Sequence, residues 1–304
     1  MSTSAINVSF MSGNDMCAGH LYLPQTINKK APCVVMANGF SGTMDWILPD
    51  FADHFVAAGF AVLTFDYRYL GASAGMPRQL IIPRRQRTDL KNAIEYVNKI
   101  KEIDSDRLVL WGTSLGGSNV VNVAAENKSI AGVILLMPAI DAIRGSNQKE
   151  KTKKMRYSGS VAWATLRLAG AAILDVSRRA LGFKPYYIDV FGQPGKAVFA
   201  DQELAPLFDA LQNSSKLWKN KVAAGSLLTL PTYRKGTIAK ITAPIQVCLA
   251  RHDVEISNQY VKDKIKEARN ARVFEYDCGH FELYHPPYVD KLVEDQVAFL
   301  KSIF

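Results

Sequence analysis

Leu108-Val109-Leu110-Trp111-Gly112-Thr113-Ser114-Leu115-Gly116-Gly117-Ser118 is the stretch around which the rest of the chain is organised. An apolar run too short for a helix leads into Gly-x-Ser-x-Gly, and residues able to continue as a helix follow. A strand that turns at once into a helix forces its corner residue into strained backbone geometry, and side chains two positions to either side would collide. Gly112 and Gly116 remove those collisions and leave Ser114 exposed at the corner. The N–H of Leu115 then points into the same space from a helix N-terminus, where negative charge is stabilised. A close-packed turn without chemistry would share this string, so the reading depends on whether a base and an acid follow elsewhere.

Working outward, Ile6 to Phe10 and Gly19 to Leu23 flank the turn Gly13-Asn14-Asp15 and predict an antiparallel hairpin. Pro32 to Ala37, Phe60 to Phe65 and Ala131 to Met137 are short apolar runs of the kind buried on both faces of a parallel sheet. Between them Trp46 to Ala58, Arg84 to Ile100 and Ser114 to Glu126 carry helical spacing, and the strand of the serine turn is Arg107 to Trp111. Strand, helix and strand in alternation imply parallel pairing with right-handed crossovers. The alternation resumes with strands at Pro244 to Ala250 and Arg272 to Tyr276, and helices at Ser257 to Ala268 and Tyr288 to Leu300.

From about Arg144 to Lys240 the pattern changes to helical pieces with no clear strand: Ser160 to Leu181, Asp201 to Asn213, and Trp218 to Gly225. The expected organisation is an α/β core in two parts, residues 1–143 and 241–304, interrupted by a helical cap over residues 144–240. Val161 to Leu181 is apolar, but Arg167, Asp175, Arg178 and Arg179 interrupt it, which argues against a membrane span and for an amphipathic helix over the sheet edge.

Composition fits a soluble globular protein: 304 residues, 48% hydrophobic and 21% charged. The net charge of +9 raises the question of nucleic acid. The most basic run, Lys149 to Arg156, lacks aromatic interleaving and any nucleic-acid motif, so it reads as a solvated loop and no nucleic-acid partner is expected. Cys17, Cys33, Cys248 and Cys278 form no close pair, which leaves neither metal spacing nor a disulfide framework. With no basic-then-apolar leader at the start, a reducing cytoplasm is the expected location.

A serine hydroxyl needs an imidazole to take its proton, and the imidazole needs a partner to fix its tautomer. His280 lies in a loop just beyond the last strand; its near rival His285 precedes Pro286-Pro287, a helix-leading turn, and His20, His54 and His252 read as surface or helix histidines. Asp253 begins the segment after the strand Pro244 to Ala250, with Glu255 in reserve. In an open parallel sheet the carboxyl ends of the strands face one crevice, so Ser114, Asp253 and His280 can converge there, in the chain order this arrangement requires. The loop after Pro32 to Ala37 should supply a second oxyanion donor, the N–H of Phe40, beside that of Leu115. Asp66 and Arg68 read as braces of a neighbouring loop.

Gly112 to Gly116 with Asp253, His280, the Asn38-Gly39 loop and Asp66-Tyr67-Arg68 resembles the α/β-hydrolase superfamily. The N-terminal hairpin and the text from Asp66 to Pro77 are similar to its dienelactone-hydrolase-like and Xaa-Pro-peptidase-like branch, which includes thioester hydrolases and acyl or polyketide transferases. The resemblance implies an α/β-hydrolase fold with a mostly parallel central sheet and helices on both faces. It implies a triad of Ser114, Asp253 and His280, with Phe40 and Leu115 as oxyanion donors. Asn38 departs from the His that many relatives carry before the oxyanion glycine. The expectation is a serine hydrolase of a carboxylic ester or thioester, working through an acyl-enzyme with no metal or organic cofactor. An acyltransferase on the same residues and a non-catalytic ligand-binding protein are the alternatives, and a homodimer stays open. Trp163, Leu166, Phe183, Tyr186, Tyr187, Phe191 and Trp218 suggest an apolar acyl pocket in the cap, or merely its seal against the core.

Overall fold

The computed structural model describes residues 4–25, 29–147 and 161–304. Its centre is an eight-stranded sheet in the order β1-β2-β4-β3-β5-β6-β10-β11. The strands are β1 (Ile6–Ser12), β2 (Asp15–Tyr22), β3 (Ala31–Ala37), β4 (Ala61–Phe65), β5 (Ile103–Thr113), β6 (Ile130–Leu136), β10 (Ile245–Ala250) and β11 (Ala271–Tyr276). β1 and β2 form the expected hairpin, and β2 joins β4 antiparallel. Every pairing from β4 to β11 is parallel. The carboxyl ends of β3, β5, β6, β10 and β11 therefore share one edge, and the segments that leave them, at Asn38, Ser114, Met137, Arg251 and Asp277, converge there.

Helices α1 (Leu48–Ala57), α2 (Pro83–Val97), α3 (Leu115–Glu126), α6 (Asn258–Ile265) and α7 (Tyr288–Ser302) alternate with the strands. Successive side chains of a strand point to opposite faces, and β5 uses this at two adjacent residues. Trp111 packs on Phe51 of α1 and donates its indole N–H to Gln296 of α7 at 3.1 Å. Gly112 faces the other way, where a Cβ would come within 2.7 Å of both the Gly116 carbonyl oxygen and Val120 of α3. Helices thus cover both faces, and α3 can lie close to β5 only because position 112 has no side chain. Gly116 is tighter still, since a Cβ there would meet the Ala37 carbonyl oxygen at 2.1 Å.

Between β6 and β10 lie α4 (Val161–Ala180), α5 (Ala205–Ser214) and a second sheet of β7 (Tyr187–Phe191), β8 (Ala197–Phe199) and β9 (Val222–Ala223), in the order β8-β7-β9. This sheet corrects the expectation of helical pieces alone. The helix predicted over Trp218 to Gly225 is absent; β9 and a 3-10 segment, Ala224–Thr229, stand there instead. The reason is non-local. Asn220 uses its side-chain oxygen as a strand would use a carbonyl, accepting the N–H groups of Val190 and Phe191 at 3.1 and 2.8 Å. Local spacing carries no trace of such a pairing. The basic run Lys149 to Arg156 lies outside the described residues.

Asp66 and Arg68 brace loops as the sequence suggests. Arg68 pairs with the buried Asp89, and Asp66 accepts the N–H groups of Met44 and Ala72, both at 2.7 Å. Burial pushes the Asp66 carboxyl up to about 6 against the pull of those two hydrogen bonds.

Candidate active site

Ser114 stands between β5 and α3 with φ 49° and ψ −118°, a conformation that a side chain larger than hydrogen adopts only under constraint. The constraint is visible on both sides. Its N–H donates to the Leu136 carbonyl and its own carbonyl accepts the N–H of Ala139, each at 2.8 Å. These bonds tie the corner to the end of β6, so the serine is presented by the sheet and not by a free loop.

After β10, Asp253 is held at both carboxylate oxygens. Oδ1 accepts the N–H groups of Glu255 and Ile256 at 2.8 Å, and Oδ2 lies 2.7 Å from Nδ1 of His280. Asp253 and His280 are both buried. An acceptor at Nδ1 places the ring hydrogen there and leaves Nε2 with its lone pair. His280 packs edge-on against Phe281 and shares a cavity of about 20 Å³ with Ser114, Gly39, Phe40 and Tyr284.

The rival histidines lie elsewhere. His285 faces a cleft of about 430 Å³ on the far side of His280, its Nε2 meets no hydrogen-bond partner among the described residues, and burial lowers its pKa. His252 pairs with Asp277 at the surface, His54 belongs to α1, and His20 packs on Tyr22 in β2.

Asn38 shapes the loop after β3. Its Oδ1 accepts the N–H of Gly39 and its Nδ2 donates to the Thr43 carbonyl, both at 2.8 Å. Gly39 is thereby removed as a donor to a ligand. The N–H of Phe40 has no acceptor among the described residues, and Leu115 opens α3, so its N–H has no intrahelical carbonyl to reach. Phe40 and Leu115 line one cavity together with Ser114. The loop is clasped from the segment after α5: Asp45 Oδ2 accepts the Ser215 hydroxyl and the N–H groups of Lys216 and Leu217, while its Oδ1 accepts the Thr43 hydroxyl.

That cavity holds about 220 Å³ and is walled by Leu168, Val198, Phe199, Leu227, Leu230 and Ile256. Its lining differs from the aromatic set read from the sequence. Trp163, Leu166, Phe183 and Tyr186 are exposed, while Trp218 is buried and borders the small cavity at Ser114. Phe199 and Phe208, absent from that set, border the same small cavity and pack on Phe281 beside His280. They sit on β8 and α5, whose position over the sheet edge no local pattern specifies.

Asp141 closes the floor with Oδ1 on the N–H groups of Ile143 and Arg144, and Oδ2 on the Arg144 guanidinium, the Tyr233 N–H and the Tyr260 hydroxyl. Burial opposes its ionisation, yet these donors outweigh burial and hold the carboxyl down at about 2. A carboxyl with a depressed folded-state pKa contributes stability that is complete above its unfolded pKa, about 3.9, and is lost as pH falls through the folded value. Acid unfolding followed by circular dichroism is therefore expected to steepen between about pH 4 and pH 2. Asp141→Asn should flatten that limb and cost on the order of 2 kcal/mol at neutral pH; an unchanged acid limb contradicts the assignment.

Among the described residues no cluster of three His, Cys, Asp or Glu could hold a metal, and no helix is long and apolar enough to cross a membrane. The four cysteines are buried free thiols, and burial pushes Cys17, Cys248 and Cys278 up to about 12.

Comparison with known proteins agrees with this architecture. The quorum-quenching protein AidA of Acinetobacter baumannii is 34% identical over 98% of this chain and 95% of its own length. The thiohydrolase aneE of Aspergillus aculeatus is 35% identical over 41% of this chain and 38% of its own length, and other relatives include polyketide transferases. The crystal structure of the α/β hydrolase GrgF from Penicillium sp. superposes with a TM-score of 0.79 over 98% of each chain at 22% identity, a likeness of fold. The family model described as serine aminopeptidase, S33, matches residues 28–285, from the approach to β3 through Ser114, Asp253 and His280. A match across that span places the chain, an enzyme of α/β-hydrolase fold, in the serine aminopeptidase S33 family.

Proposed function

We propose that the protein hydrolyses a carboxylic ester or thioester through an acyl-enzyme on Ser114. The observation that carries this reading is the 2.7 Å pair of His280 Nδ1 and Asp253 beside a serine held at a strained strand-to-helix corner in the same small cavity. His280 Nε2 takes the hydroxyl proton as Ser114 attacks the carbonyl carbon, and Asp253 stabilises the imidazolium that forms. The oxyanion is received by the N–H groups of Phe40 and Leu115, each such donor being worth roughly 2.7–4 kcal/mol in the transition state. His280 returns the proton to the departing alcohol or thiol, then activates a water to release the acid. The thiohydrolase relatives support the thioester class, and the apolar cavity of about 220 Å³ suits the acyl part.

The same proposal takes residues 1–143 and 241–304 as one hydrolase core, residues 144–240 as its cap, and the cytoplasm as its setting, in keeping with four free buried thiols. The test is covalent labelling by a fluorophosphonate alongside hydrolysis of p-nitrophenyl esters and acyl thioesters of graded length. Labelling of Ser114 with turnover supports the reading; an unlabelled protein that turns over neither class overturns it. A second reading, acyl transfer by the same residues, draws on the cleft of about 430 Å³ on the far side of His280, room for an acceptor larger than water. The ratio of transfer to hydrolysis in the presence of added alcohols and amines decides between the two.

A further inference from the structure

Helix α4 turns apolar residues both inward and outward. Ala164, Ala172 and Asp175 are buried against the body, and Leu168 walls the cavity at Ser114. On the opposite face Leu166, Ile173 and Leu174 are 59%, 61% and 45% exposed, and just past the helix end Leu181 and Phe183 are 73% and 61% exposed. Monomers leave contiguous apolar patches of only about 300–600 Å² uncovered, whereas side chains of this size at such exposure approach the roughly 800 Å² per partner of a standard interface. Down the middle of that face run Leu166, Gly170, Ile173 and Ser177, spaced by four, three and four residues, the repeat of a helix that lies along another helix. Gly170 has no use within the chain. A glycine inside a helix costs about 1 kcal/mol relative to alanine, and a Cβ here would meet nothing within 4 Å, so no internal contact requires it.

We propose that α4 pairs with α4 of a second copy of this chain, antiparallel across a two-fold axis, to form a homodimer. An antiparallel pair in this register sets Leu166 against Ser177 of the partner subunit and Ile173 against Gly170 of the partner subunit, and the symmetry repeats each contact. These layers of the seam each join a large side chain to a small one, and the open space over Gly170 receives Ile173. A parallel pair would instead stack Ile173 on Ile173 and Gly170 on Gly170, crowding one layer and emptying the next. A lipid surface has no need of that alternation, and large side chains at positions 170 and 177 would serve it better. Arg167 borders the seam, where its stem covers apolar surface while its guanidinium stays in water. Asp175 is buried on the other face and paired with Arg179, so the contact holds no carboxylate.

Sedimentation over a concentration series is expected to show two chains per particle as concentration rises. Ile173→Asp should weaken the dimer at least about a hundredfold, because each copy would bury an unpaired carboxylate. Gly170→Gln, a better helix former at an exposed position, should leave the monomer folded by circular dichroism and weaken the dimer about tenfold or more by overfilling its layer. Orientation is read by cross-linking with a short bismaleimide, to which the buried native cysteines are closed. Leu166→Cys and Ser177→Cys, each alone, hold their two introduced thiols roughly 16 Å apart along the helix axis and should not cross-link, whereas an equimolar mixture of the two variants should. A monomer at every concentration, a dimer indifferent to either Ile173→Asp or Gly170→Gln, or cross-linking of Leu166→Cys alone each overturns the pairing. So does a monomer that binds phosphatidylserine vesicles and loses that binding in Ile173→Asp, which assigns the face to a membrane.

Discussion

Ser114→Ala is expected to lower kcat on its best p-nitrophenyl ester by about six orders of magnitude, the loss seen when a triad nucleophile is removed. The fold should survive, because the corner is held by main-chain bonds from Ser114 to Leu136 and Ala139 that an alanine also makes. The side chain plays no part in capping α3, so no helix stability goes with the hydroxyl. Matching thermal midpoints beside a lost rate would therefore isolate the chemistry. Retention of more than about a hundredth of the activity with the fold intact would falsify Ser114 as nucleophile, since the oxyanion donors and binding alone leave only a small residue of catalysis.

Asp253→Asn is expected to cost about four orders of magnitude in kcat with little loss of folding. The local bonding dictates how the amide must sit. Glu255 and Ile256 both present N–H groups to Oδ1, so the asparagine carbonyl has to stay there. Its NH₂ then turns toward Nδ1 of His280, where the aspartate had an oxygen at 2.7 Å. A donor at Nδ1 forces that nitrogen to accept and moves the ring hydrogen to Nε2, the position that must take the serine proton. The ring keeps its place but presents the wrong face of its chemistry. Observation of the imidazole hydrogens by NMR checks the tautomer directly, and a variant with Nδ1 still protonated or with near-normal kcat defeats the account.

Much of this was legible in the sequence because the signals were local. Gly112 and Gly116 around Ser114 require a close strand-helix approach, and the apolar runs of β3, β4, β5, β6 and β10 reflect burial on both faces. Asp253 and His280 could be placed because parallel strands deliver their following loops to one edge. The small sheet of β7, β8 and β9 could not be read in this way. It depends on Asn220 reaching Val190 and Phe191 about thirty residues away, and its two- and three-residue strands are too short to show alternation. The cavity lining was misread for a related reason. Trp163 and Leu166 attract notice by composition, but whether such a side chain faces a cavity or solvent is decided by how α4 is rotated on the body. Hydropathy alone does not fix that rotation when both faces of a helix carry apolar residues.

The clasp at Asp45 carries a mechanical consequence. One carboxylate oxygen gathers Ser215, Lys216 and Leu217, the other holds Thr43, and Thr43 in turn anchors Asn38, which fixes Gly39 beside Phe40. Any lifting of the 215–217 segment, whether to admit a molecule or to let one go, must first unlatch Asp45 and slacken the turn that aims the Phe40 amide. On the proposed assignment of Phe40 as an oxyanion donor, a displacement of residues 215–217 reaches the reacting carbonyl through Asp45, Thr43 and Asn38.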